Sequence, residues 1–86
     1  MVVERFKAGR VRDVYARFAE KGRMMPEGVR YIDSWITADV GRCFQLMEAD
    51  SRELLDRWAA NWADLVEFEV VPIISSDEAR RAVLGS

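Results

Sequence analysis

Histidine is absent from the 86 residues, which removes the usual metal and haem ligand and the commonest general base near neutral pH. Ser-His-Asp and Cys-His mechanisms are excluded with it. A zinc site built from Cys43 and carboxylates alone would be atypical, so neither a metal nor another cofactor is expected. Cysteine occurs once, so no internal disulfide can form, and a reducing cytoplasm is the natural location. No apolar run approaches the roughly 20 residues of a membrane span. The opening Met-Val-Val-Glu-Arg reads as neither a secretory signal nor a transit peptide. An acidic chain without a basic-aromatic motif argues against nucleic acid as a partner.

What is present describes a folded domain. Half of the residues are hydrophobic and 33% are charged, which excludes a disordered chain. The length allows one domain, spanning residues 1–86. Area scaling gives a folded surface of roughly 5,200 Å² against about 14,400 Å² unfolded, so a monomer folds with little to spare. The net charge of −2 conceals an asymmetry: residues 1–23 hold seven Lys/Arg against three acids, and residues 24–86 hold six against twelve. Such a basic segment suits an anionic ligand or an acidic partner surface, although a solvated helix face is the ordinary fate of a charge run.

Periodicity orders the elements. Residues 1–6 read as a strand. Val11, Val14, Tyr15 and Phe18 recur at the spacing of one helical face, and Gly22 suits a left-handed stop. Val29 to Thr37 and Arg42 to Ala49 read as strands joined at Ala38-Asp39-Val40-Gly41, where Gly41 is expected to take a positive φ. Asp50-Ser51-Arg52-Glu53 resembles a capping box opening a helix with Leu54, Leu55, Trp58, Trp62 and, one turn on, Leu65. Phe68 to Ile74 reads as a fourth strand, which Pro72 places at a sheet edge. Ser75-Ser76-Asp77-Glu78 starts a short tail helix that Gly85 ends. The β-α-β-β-α-β order predicts an α+β, ferredoxin-like fold: a four-stranded antiparallel sheet with two helices on one face.

The helices cover only one face of such a sheet. Strict alternation assigns Ile32, Ile36, Phe44, Leu46, Phe68 and Val70 to that face. The other then displays Glu4, Phe6, Tyr31, Asp33, Trp35, Cys43, Gln45 and Met47. So much exposed apolar surface is unusual in a monomer, and packing against a two-fold copy would hide it. A homodimer with a partly polar space between its sheets is therefore expected.

The run Gly22-Arg23-Met24-Met25-Pro26-Glu27-Gly28, then Tyr31, Asp33-Ser34-Trp35, Arg42-Cys43-Phe44-Gln45-Leu46-Met47-Glu48 and Phe68-Glu69-Val70-Val71-Pro72, resembles a small bacterial family known only as a domain of unknown function. That resemblance brings no biochemistry. At fold level the chain also resembles the dimeric α/β-barrel superfamily, whose members include cofactor-free monooxygenases, lactone isomerases and ligand-sensing domains. The lack of histidine argues against its haem-binding and His-assisted branches.

In that inter-sheet space, Asp33 and Glu48 are the candidate catalytic carboxylates, since desolvation beside an aromatic wall would raise a carboxyl pKa toward general acid–base use. Glu4, Tyr31, Trp35 and Gln45 are candidate ligand contacts. Arg5 and Arg42 are candidates to grip an anionic group in a two-pronged way, although cross-strand pairing with carboxylates would satisfy them equally. The spacing of Trp58 and Trp62 fits helix-to-sheet packing better than a stacking platform. Three readings follow: a small-molecule-binding dimer taking a planar or anionic ligand, a cofactor-independent oxygenase or isomerase, and a purely structural dimer without a ligand.

Overall fold

The computed structural model describes residues 1–85. Seven elements follow one another: β1 (Val2–Phe6), α1 (Val11–Lys21), β2 (Val29–Ile36), β3 (Arg42–Ala49), α2 (Arg52–Ala60), β4 (Val66–Val70) and α3 (Ser76–Leu84). The strands form one antiparallel sheet in the order β2-β3-β1-β4, so both β-α-β crossovers skip a strand, as the ferredoxin-like arrangement requires. Helices α1 and α2 lie over the same face.

Local chemistry sets the boundaries. Ser51 Oγ accepts from the Leu54 N–H at 3.3 Å to start α2, and Ser75 Oγ accepts from the Glu78 N–H at 3.0 Å to start α3. Gly22, at φ 66°, turns the chain out of α1 and returns its N–H to the Phe18 carbonyl. Regular helix in α2 stops at Ala60, sooner than expected. A tight turn follows, with the Trp62 N–H bonded to the Ala59 carbonyl and the Leu65 N–H to the Trp62 carbonyl. That turn keeps Trp62 and Leu65 on the buried side.

β4 begins earlier than the expected Phe68 and ends at Val70. Beyond it, Val71 exchanges backbone bonds with Met1, the first residue of the chain, at 2.8 and 2.9 Å. Pro72 therefore lies just past the strand rather than within it, and β4 is an edge strand of the sheet, as expected.

The core is small. Val2, Trp58, Trp62, Leu65 and Val66 form its buried centre, and Trp58 meets Phe68 edge-on with ring centroids 5.3 Å apart. Arg17 ties α1 to the end of α2 through two 2.7 Å bonds to Asp64 and a third to the Asn61 carbonyl, which holds the Asp64 carboxyl down to about 2. Helix α3 stands apart: Val83 and Leu84 are 80% and 77% exposed, and Ile73 and Ile74 before it are also open. The radius of gyration is 14.7 Å, against about 12 Å for a compact chain of this length. The accessible surface of 6024 Å² likewise exceeds the roughly 5,200 Å² of the scaling law.

The expected faces of the sheet need correction. A β-bulge between Tyr31 and Asp33 breaks the alternation of β2. Tyr31 opposes Met47 on the helix side, and its hydroxyl meets Ser34 Oγ at 2.7 Å, whereas Asp33 and Trp35 oppose Leu46 and Phe44 on the open side. In β1 and β3 the parity is the reverse of the expectation. Val2, Glu4 and Phe6 face the helices with Cys43, Gln45 and Met47, and Phe44 and Leu46 lie on the open face. Phe68, Val70 and Ile36 do face the helices. Choosing the most apolar alternate set was misleading because the helix-facing set of β1 and β3 includes buried polar groups.

In the β2–β3 turn the left-handed residue is Val40, at φ 59°, rather than Gly41. The Asp39 carboxylate explains the shift: it accepts from the Thr37 hydroxyl at 2.6 Å and the Gly41 N–H at 3.0 Å, which also lowers its pKa. A β-branched side chain is strained in that region. Val40→Asn is therefore expected to raise unfolding stability by about 1 kcal/mol in urea titration. A lowered midpoint would mean that the valine side chain contributes more than its backbone costs.

Candidate functional site

Between the two helices and the sheet lies a half-open cavity of about 190 Å³. Its walls are mostly apolar. α1 supplies Val14, Tyr15 and Phe18, α2 and its following turn supply Trp58 and Trp62, and the sheet supplies Phe6, Ile36 and Val66. Its polar groups come from adjacent strands and one loop: Glu4, Cys43, Gln45, Ser34 and Arg23. The sheet register makes Glu4 and Cys43 direct neighbours, sets Gln45 beside Val2, and places Ser34 opposite Gln45.

Glu4 is the unusual member. It is 9% exposed on a central strand and takes part in no ion pair among the described residues. Burial pushes its carboxyl up to about 7, against the smaller opposing pulls of the Cys43 thiol and the Arg23 guanidinium. The same burial, with Glu4 beside it, pushes the Cys43 thiol up to about 12, so Cys43 remains protonated and is a poor nucleophile. Gln45, 6% exposed, donates its amide to Met47 Sδ at 3.1 Å, a weak acceptor that leaves the amide oxygen available.

Arg23 positions the mouth. Its backbone carbonyl accepts both indole N–H groups, from Trp58 at 2.9 Å and Trp62 at 3.1 Å. The next carbonyl, of Met24, accepts from the Asn61 amide at 3.1 Å. The guanidinium carbon sits 3.6 Å from the Tyr31 ring centroid and 4.9 Å from that of Phe18.

The residues singled out in the sequence divide between the two faces. Glu4 and Gln45 line the cavity, and Tyr31 supports it through Arg23 and Ser34. Arg5, Asp33, Trp35, Arg42 and Glu48 lie on the open face instead. There Glu48 pairs with Arg30 at 3.3 Å, and Asp33 accepts the Ser34 N–H at 2.8 Å. The guanidinium of Arg42 lies 5.6 Å from the Phe44 ring. The structure thus does not bring the eight together. Arg23 and Phe18 escaped notice as site residues. The signal for Arg23 was present in the Gly22–Gly28 run, but its meaning depends on indole contacts 35 and 39 residues away.

These features define a ferredoxin-like α+β domain with a polar-floored cavity under its helices. Among the described residues no helix is long and apolar enough to cross a membrane. The chain belongs to the DUF3303 family: the profile of this domain of unknown function matches residues 1–86. Comparison with curated proteins and with solved structures finds no match.

The folded Glu4 carboxyl holds its proton to about pH 7, whereas an unperturbed one releases it near 4.5. Its contribution to stability therefore falls as pH rises across that window and is constant above it. Glu4→Gln should match the parent at pH 5 and exceed it at pH 8 by as much as about 3 kcal/mol in urea denaturation. A stability difference that does not vary with pH would show that Glu4 ionises normally.

Proposed function

We propose that this protein binds a small, flat molecule in the cavity between its helices and its sheet, and works as a homodimer closed through the open sheet face. The first half rests on one observation. Glu4 and Gln45 occupy buried, central-strand positions where apolar side chains would pack more stably, and both border an aromatic-walled hollow. This differs from a site between two sheets, and it moves the principal carboxylate from Asp33 and Glu48 to Glu4. A second reading is favoured by the same group. A carboxyl that titrates near pH 7 is matched to proton transfer, so a cofactor-independent oxygenase or isomerase with Glu4 as general base is the alternative.

The dimer rests on the open face and the tail. Trp35 is 52% exposed there beside half-buried Phe44, Leu46 and Val3. Arg5 and Arg42 sit directly opposite one another at one end of the two central strands, with Glu67 beside Arg5 and Glu69 beside Val3 on the β4 edge. A two-fold copy can lay those acids on those bases while covering Trp35. Val71, Ile73, Ile74, Val83 and Leu84 lie exposed along the tail, placed to pack on a neighbouring subunit. This arrangement is that of a dimeric α/β barrel.

The three tryptophans report the two faces separately. In ¹⁵N spectra of the indole groups, a cocktail of planar small molecules is expected to shift Trp58 and Trp62 and leave Trp35 unmoved. Shifts at Trp35 alone would return the ligand to the space between sheets, and none at all would leave a structural dimer. For the assembly, sedimentation should give a dimer for the parent chain and a folded monomer for Trp35→Glu, because the exposed indole is not needed by its own subunit. A Trp35→Glu dimer would move the interface elsewhere.

A further inference from the structure

Arg23 is a cation at the cavity whose guanidinium donates to no acceptor among the described residues. The Trp58 and Trp62 indoles fix its backbone, and Tyr31 and Phe18 hold its guanidinium. At 3.6 Å from the Tyr31 centroid the guanidinium carbon is in cation–π contact with the ring. Contact with a ring face consumes no hydrogen-bond acceptor, so the N–H donors of the group remain able to meet one. No carboxylate among the described residues forms an ion pair with it, as is also true of Arg5, Arg12, Arg42 and Arg81, but of these five only Arg23 borders the cavity. The nearest acid in the cavity is Glu4, whose protonated form leaves Arg23 without a full counter-charge.

Resting on the reading of this cavity as a ligand site, we infer that it takes a planar aromatic monoanion. Its carboxylate lies against the Arg23 guanidinium and its ring among Phe6, Phe18 and Trp62, with Glu4 and Gln45 available to a polar ring atom such as an indole N–H. The two-pronged geometry of arginine suits a carboxylate. The size of the hollow suits one or two fused rings, and its aromatic walls favour a flat body over an aliphatic chain. An anion in the cavity favours the protonated form of Glu4, so binding draws a proton onto that side chain. The titratable and charged groups that line the cavity with Glu4 are Cys43 from β3, Arg23 from the loop and Tyr15 from α1, of which Cys43 and Arg23 act on its carboxyl, whereas α2 and β4 present only apolar and indole groups. Cys43 stays a thiol and adds no charge.

The test compares benzoate, indole-3-carboxylate and 1-naphthoate with their primary amides by tryptophan fluorescence, in a Trp35→Phe background so that the cavity indoles dominate. The acids are expected to bind at least tenfold more tightly than the amides. Arg23→Gln should abolish that preference, and Arg23→Lys should keep part of it. Acid affinity should fall by up to tenfold per unit of pH above about 7, and Glu4→Gln should remove that slope. Equal binding of acids and amides to the parent cavity would overturn the anion assignment while leaving the ligand site standing. Failure of every acid and amide to bind would remove both.

Discussion

One carbonyl oxygen organises much of this small protein. Both core indoles donate to the Arg23 carbonyl, which satisfies their buried N–H groups at a single point. A chain of this size has little core to spare, and leaving either indole unpaired would cost about 1–3 kcal/mol. The shared acceptor also decides where the chain after α1 must run. That path carries the Arg23 side chain over Tyr31 and across the cavity, so one constraint serves packing and electrostatics together.

The hollow follows from incomplete coverage. α1 contributes no buried residue, and Tyr15 and Phe18 remain 48% and 40% exposed although they roof the cavity. Such a helix is fastened more by its edges than by its face: the Arg17–Asp64 pair at one side and Arg23 at its end. A roof held by edge contacts can yield slightly without unfolding the core beneath.

Much of the architecture was legible in the sequence. Apolar periodicity placed α1, the boxes Asp50–Glu53 and Ser75–Glu78 placed the starts of α2 and α3 (the first one residue early, since Ser51 is the cap), and Pro72 placed β4 at an edge. Trp58 and Trp62 were readable as packing residues from their spacing. The faces of the sheet were not readable, because the bulge at Tyr31 is invisible to an alternation rule and changes the side on which everything before Asp33 emerges. The parity of β1 and β3 failed for another reason. Phe44 and Leu46 outrank Cys43 and Gln45 in hydrophobicity, yet the less apolar set faces inward, where it lines the cavity. Glu4 and Gln45 were recognised as chemistry, but on the wrong side of the sheet, and Arg23 depends on contacts too distant along the chain to be inferred.

The state of Cys43 bears on where this chain can function. Burial and the neighbouring Glu4 push its thiol up to about 12, so Cys43 is a protonated thiol at pH 7, and the residue is buried on a central strand. It is slow to oxidise, to exchange disulfides or to be alkylated. The lone cysteine is therefore a packing atom indifferent to redox poise. Its presence argues neither for a reducing compartment nor against an oxidising one.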